Sequence, residues 1–516
     1  MQIAIKTDES PFDPEFDALV SKLLEEWKVP GLSIAVVHGS ESYSKAYGIS
    51  NLPDKEMTTD TLFPTCSTTK AFTALSTALT IQDSKATDSP IDWDTPVSKL
   101  LPEDFVLADD YATTHITLED ALSNRSGLPD HGWMFTFTPN DMTSESLVRS
   151  LRHLPLTNSP RTTYHYSNQL FSTVSYALEK QTGQSLGSFM KKRIWNPLGM
   201  HDTYFSIPEV KANPSNAERL SGGYTWIPDG KGGYYYHLEK SMNWMPNKGA
   251  GSMVSTVRDY TLWIRALIEK SGPLEGQDTL VKPRIFHFDS GDVNLPSPYH
   301  AYALGWFVDN YRGQDFYWHT GGWPGFGSYV GFLPEKKFGF VFMGNSNLAR
   351  RASYELAVYL MDKLLGPADP KHREKMSSCF AKQREELDEN LQPTKAKDSK
   401  RKVFPNLPNP PIPQSLPLEN YTGTYRHPSN AWITLEITGG NLTADVSQGT
   451  LPSKLTFTHA SGDFFVAESK VLDLISLGPF GVEFHVDSTG AATKIGIPLE
   501  PAMKGENIWF ERSSSE

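Results

Sequence analysis

Residues 366–417 are the stretch that no single core can absorb. "GPADPKHREKMSSCFAKQREELDENLQPTKAKDSKRKVFPNLPNPPIPQSLP" is densely charged and then proline-rich. Such a composition buries little apolar surface and reads as a linker, with room for one short helix. It separates residues 1–365 from residues 418–516, and each of these must then build a core of its own. With 516 residues, 38% of them hydrophobic, the chain has enough apolar material for two.

The two flanks differ in period. Residues 13–28, "DPEFDALVSKLLEEWK", put Phe16, Leu19, Val20, Leu23, Leu24 and Trp27 on one helical stripe. "VPGLSIAVVHG" and "SYSKAYGISN" read as two strands, and helices follow over roughly 68–82 and 170–193. Residues 327–346 read as two strands around a Pro-Glu-Lys-Lys turn, followed by a helix over roughly 350–365. Strands at both ends of a unit with helices between them predict one mixed, mainly antiparallel sheet with helices packed on it. From Leu418 the pattern changes to short alternating runs, among them "WITLEITGG", "KLTFTHA", "VEFHVD" and "NIWFER". These predict a small all-β barrel or sandwich.

The net charge of −12 and pI near 5.7 argue against nucleic acid and anionic membrane as partners. No window is long and apolar enough to span a bilayer, and the N-terminus does not read as a secretory signal. A cytoplasmic location with reduced thiols is expected. Cys66 and Cys379 make neither a metal-ligand spacing nor a disulfide framework. No H-E-x-x-H occurs, so a zinc hydrolase has no support, and no cofactor is expected.

"PTCSTTKAFTALSTALT", residues 64–80, places Ser67 three residues before Lys70 at the mouth of an apolar, helix-like run. Residues three apart on a helix share a face. A serine in the first turn also sees the positive end of the helix dipole. Burial of the lysine would pull its pKa from about 10.4 towards neutrality and make it a base for the serine. S-x-x-K is a cheap pattern, which recurs at Ser42/Lys45, Ser188/Lys191 and Ser399/Lys402. Only Ser67/Lys70 opens a buried helix. The first of the others lies in a strand pattern, the second on an exposed helix face and the third in the linker.

Two further segments join it. Tyr166-Ser167-Asn168 is the one Y-x-N of the chain, offering a phenol that an adjacent ammonium could hold as phenolate and an amide that could orient a carbonyl. His319-Thr320-Gly321-Gly322 reads as a strand edge whose glycines admit a ligand close to the backbone. S-x-x-K, Y-x-N and [HK]-T-G in this order resemble the serine β-lactamase and penicillin-binding-protein superfamily. The likeness is greatest to the class C β-lactamase-related branch of esterases, D-aminopeptidases and transesterases. "ALSNRSGLPD", "NPLGMHDTYF", "GAGSMVSTVRDYTLW" and "HTGGWPGFGS" resemble that branch too.

The resemblance implies an α+β fold, with a mainly antiparallel sheet flanked by helices and a helical subdomain. It implies Ser67 as nucleophile, Lys70 as proton acceptor and Tyr166 as general base and acid. Asn168 would contact substrate. The backbone N–H groups of Ser67 and Gly322 would form an oxyanion hole, with His319, Thr320 and Gly321 at the edge. The C-terminal unit, residues 418–516, resembles the lipocalin-like appendage of some members. His319 stands where many β-lactamases carry lysine and is mostly neutral at pH 7, which weakens the case for penicillin as substrate.

Trp133, Tyr235, Trp244 and Trp323 are aromatic candidates for the substrate pocket. "GQSLG", residues 183–187, matches the G-x-S-x-G nucleophile elbow but follows an amphipathic helix where that motif needs a strand. Gly183 therefore reads as a helix stop and Ser185 as the start of the next helix. The expected function is hydrolysis of an ester or amide of a small molecule or peptide through an acyl-enzyme on Ser67. Acyl transfer to another alcohol or amine from the same intermediate is the alternative. A non-catalytic binding or assembly role is a third, against which the intact Ser67, Lys70 and Tyr166 speak.

Overall fold

Every residue of the strand Gly31–His38 is buried, which requires a sheet covered on both faces. In the computed structural model this strand lies inside a nine-stranded sheet, between Glu41–Asn51 and Phe338–Gly344. Described are residues 9–229, 231, 233–240, 247–288, 299–391, 396–471 and 475–513. The sheet runs on through Phe326–Leu333, Gln314–Trp323, Phe307–Tyr311, Tyr299–Tyr302 and Ile285–Phe288, and each pairing is antiparallel. The first long strand of the unit thus pairs with its last, with Val36 opposite Phe340.

Alternate residues of Gly31–His38 serve two cores, as the two-residue period of a strand dictates. Ile34 and Val36 pack with Phe16 and Val20 of the helix Pro14–Glu26 and with Leu356 and Leu360 of the helix Ala349–Leu365. Ala35 and Val37 face the other way, into the core that holds Phe72 of the helix Thr69–Ser84 and Trp263 and Ile264 of Val257–Glu269. The structure is therefore α+β: a mainly antiparallel sheet with helices on both faces, and a further all-β unit behind it.

Residues 366–417 are less linker-like than their composition predicts. Pro370–Leu391 is a helix of 22 residues, and Ala396–Val403 is another of 8. Met376 is buried, while Cys379, Phe380 and Leu387 pack against the same core as Phe16 and Leu356. Arg384 bonds Glu355 at 2.7 Å and Glu26 at 3.0 Å, joining this helix to the two beneath it. An i, i+3, i+4 stripe of apolar residues is enough to dock a helix that is charged elsewhere. The proline-rich remainder, residues 405–417, carries neither helix nor strand.

The C-terminal unit is a closed barrel of eight antiparallel strands, from Gly423–His427 to Ile508–Arg512, the last paired to the first with Tyr425 opposite Arg512. Its interior is filled. Phe465 and Phe484 lie 5.3 Å apart, with the Tyr421 ring 5.4 Å and 4.9 Å from them. Ile433, Leu435, Ile495 and Phe510 are buried around these rings.

Candidate active site

Between Thr61 and Ile81 every residue is buried except Ser67. Ser67 sits in the single 3-10 turn Cys66–Thr68, which feeds the helix Thr69–Ser84. The helix tolerates burial of its hydroxyls because Ser76, Thr77 and Thr80 each donate to a carbonyl four residues back, at 2.8, 2.9 and 2.8 Å. The turn before it is held open by Cys66, whose φ of 52° lies in the left-handed region. Thr69 Oγ1 donates to the Cys66 carbonyl at 2.7 Å and keeps it there.

Lys70 is fully buried. Its Nζ lies 3.2 Å from Ser67 Oγ, 2.7 Å from Asn168 Oδ1 and 2.9 Å from the Ala250 carbonyl. The last two are acceptors only. A neutral amine has two hydrogens for them and one lone pair left, which falls to Ser67. Burial pulls the Lys70 pKa down to about 7, against the opposing charge of Asp130.

Asn168 opens the helix Asn168–Thr182. Its amide is oriented by Asp130, whose carboxylate accepts Asn168 N at 2.5 Å and Asn168 Nδ2 at 3.1 Å. With Nδ2 committed to a carboxylate, Oδ1 must turn to Lys70. The Ala250 carbonyl arrives on the short helix Lys248–Gly251, which packs so close that a Cβ on Gly249 would come within 2.8 Å of the Phe171 carbonyl.

The Tyr166 hydroxyl hydrogen-bonds the Ser67 side chain, and the Tyr166 ring centroid lies 4.7 Å from Lys70 Nζ. Burial holds the phenol well above its ordinary pKa, and the Ser67 bond lowers it only in part. Tyr166 at rest is therefore a neutral phenol, because loss of solvation outweighs the charge of Arg350.

The third segment is split by strand alternation. Gly321 is buried beneath the nucleophile turn, where a Cβ would meet the Thr65 carbonyl at 2.4 Å. Gly322 points the other way, towards the Arg350 guanidinium, which a Cβ would meet at 2.8 Å. Thr320, Gly322 and Trp323 are half-buried. His319 turns into the fold. Its Nδ1 donates to the Thr320 carbonyl at 2.6 Å, because a carbonyl only accepts, and its Nε2 takes the Tyr302 hydroxyl at 3.1 Å. Burial and then the Lys70 charge push its pKa down to about 3, so it is a neutral strut and no part of a cationic edge.

A cavity of about 360 Å³ adjoins this cluster through Asn168 and is walled by Asp130, Trp133 and Trp323. Tyr235 is not among the residues that line it and is 45% exposed on the hairpin of Tyr224–Pro228 and Tyr234–Leu238. Trp244 lies outside the described residues. Among the described residues no cluster of His, Cys, Asp and Glu could hold a metal ion, and no helix is long and apolar enough to cross a membrane. Ser185 caps the helix Leu186–Met190 by accepting from Ser188 N, after Gly183 ends the preceding helix at φ 65°. That is the helix stop and restart expected of "GQSLG".

Asp130 and Arg350 were not singled out from the sequence. Asp130 was visible only as the end of "SGLPD", next to a glycine turn. Nothing in the sequence marks Arg350, which bonds Asn347 Oδ1 at 2.9 Å and lowers the pKa of Tyr166 and Cys66 by its charge.

Comparison with known proteins agrees with this arrangement. Residues 16–360 match the β-lactamase family, and residues 407–512 match a domain of unknown function (DUF3471). The chain is 34% identical over 98% of its length to an unguisins hydrolase of Aspergillus campestris, of which it covers 93%. It is 32% identical over 100% of its length to an unguisins hydrolase of Aspergillus violaceofuscus, again covering 93%. An octameric penicillin-binding protein homologue from Pyrococcus abyssi has the same fold over 96% of this chain and 99% of its own, with a TM-score of 0.58 at 19% identity.

Proposed function

Because the chain belongs to the β-lactamase family and is a serine hydrolase, we propose that it cleaves an ester or amide bond of a small molecule or peptide through an acyl-enzyme on Ser67. Ser67 Oγ attacks the carbonyl carbon and its proton passes to the neutral amine of Lys70. The backbone N–H groups of Ser67 and Gly322 hold the oxyanion, in the positive field of Arg350. As the tetrahedral intermediate collapses, the bond to the leaving group breaks and Tyr166 relays the proton to that group. Water then attacks the ester carbonyl, its proton passes through Tyr166 and Lys70 to Ser67 Oγ as the acyl carbon–Oγ bond breaks, and the acid is released.

The observation that carries this reading is the lysine without a carboxylate contact. Its three polar neighbours are a hydroxyl and two carbonyl oxygens, 2.7–3.2 Å away, so the amine is supported in its neutral form next to the one open hydroxyl of the helix. Asn168 and Thr320 are the substrate-contacting groups of this scheme. The two relatives named as unguisins hydrolases favour a substrate of the unguisin kind, and the neutral His319 speaks against a penicillin. The reading is tested by incubating wild type and Ser67→Ala with p-nitrophenyl esters, D- and L-amino-acid p-nitroanilides and penicillins. Turnover of at least one class by wild type and of none by Ser67→Ala is expected. Turnover by the variant at the wild-type rate would overturn it.

A further inference from the structure

The cavity beside Asn168 is closed by the second unit. Thr450, Leu451, Glu500 and Pro501 of the barrel line it opposite Trp133 and Trp323. The barrel is stitched to the segment that carries Trp133 at two places. On one side Thr450 N donates to the Thr138 carbonyl at 2.9 Å, and Thr450 Oγ1 donates to the Pro139 carbonyl at 2.9 Å. Gly449 lies so close there that a Cβ would come within 2.2 Å of the Thr136 carbonyl. On the other side Glu500 Oε2 accepts His131 N at 2.7 Å and Oε1 accepts Ala502 N at 2.9 Å. Both oxygens of this buried carboxylate are thus occupied by backbone donors, and Asp130 is occupied by Asn168. The carboxylates hold the walls in place, and the surface left to a ligand is mostly indole, leucine and proline, with the Asn247 amide, whose Nδ2 has no partner among the described residues, as a polar point. The interior of the barrel is itself packed with aromatic rings, so its rim is where it can meet a ligand.

We propose, on the acyl-enzyme reading above, that the barrel rim is a specificity wall. Leu451 and Pro501, with Trp133, receive a bulky apolar group next to the scissile carbonyl of the substrate. The volume lies within the usual range for small-molecule pockets, roughly 300–1,000 Å³, and exceeds what an acetyl group needs. Leu451 is half-buried and Pro501 exposed, so neither belongs to the barrel core.

The test is a selectivity ratio: kcat/KM for p-nitrophenyl 4-phenylbutyrate over that for p-nitrophenyl acetate. Leu451→Asp and Pro501→Asp are expected to lower this ratio about tenfold each, the scale of one lost apolar contact in a binding pocket. Leu451→Met should keep it. Thermal unfolding of each variant, followed alongside, should coincide with wild type. A ratio within twofold of wild type in both Asp variants would overturn the proposal, as would an equal loss on both esters. Ser67→Ala answers a different question: turnover of either ester by that variant contradicts the acyl-enzyme, whatever the ratio does.

Discussion

Ser67/Lys70 and Ser42/Lys45 share one spacing and nothing else. Lys70 is fully buried, has a hydroxyl and two carbonyl oxygens for company, and is pulled down to about 7. Lys45 is on a strand, 40% exposed, and pairs with Asp17 at 2.7 Å. Ser42 points elsewhere and accepts from Arg265 at 2.7 Å. Lys70 is desolvated, which disfavours its charged form, whereas Lys45 keeps its solvent and a carboxylate partner. The chemistry of the motif lies in what surrounds the amine, and the three-residue spacing only permits it.

Four results would break or sharpen this contrast. Ser67→Ala is expected to lower kcat/KM the most, by about a millionfold, as loss of a nucleophile does in other serine hydrolases. Ser42→Ala should leave it within about twofold, since isolated surface changes stay near 0.5 kcal/mol. Lys70→Met should cost about 10²–10⁴ in kcat/KM, the range for loss of a general base, while Lys45→Met costs activity nothing and stability little, as exposed ion pairs do. Loss of activity in the Ser42 or Lys45 variant would end the contrast.

The third result is the pH profile. Lys70 must be neutral to accept the Ser67 proton, so kcat/KM should rise with pH through about 7 and then level. Tyr166 is held above its ordinary range and adds no break near neutrality. The same shift has a stability consequence. The folded-state pKa of Lys70 lies below its unfolded value of about 10.4, so the unfolded chain binds the extra proton between those values. Stability should therefore fall as pH drops from that value to about 7 and change no further through this group below it. The smallest effect is expected from Asp130→Asn. Its charge raises the Lys70 pKa, so its removal should move the acid limb of the profile down by about one unit. An unmoved limb would mean that Asp130 carries no charge at the site.

What the sequence made legible follows the range of the interactions. Ser67 and Lys70 are one helical turn apart, so their contact is a local property. Alternation made the barrel readable strand by strand, although Gly423–His427 was not among the runs picked out. Tyr166 and Asn168 were found because their residue types carry chemistry. Asp130, the Ala250 carbonyl and Glu500 were out of reach, since each acts through a contact between distant parts of the chain or through a backbone atom that no side chain advertises. His319 was legible as neutral but not as turned inward, because its direction is fixed by Tyr302 and by the strand register. The helix Pro370–Leu391 was hidden by its charge, although Met376, Cys379, Phe380 and Leu387 already carried the helical period.

The most direct measurement is intact-mass spectrometry of the protein quenched during turnover of an activated ester. The account predicts a mass increase equal to one acyl group on wild type, mapped to Ser67, and none on Ser67→Ala. An adduct on another residue, or the same adduct on Ser67→Ala, would contradict it.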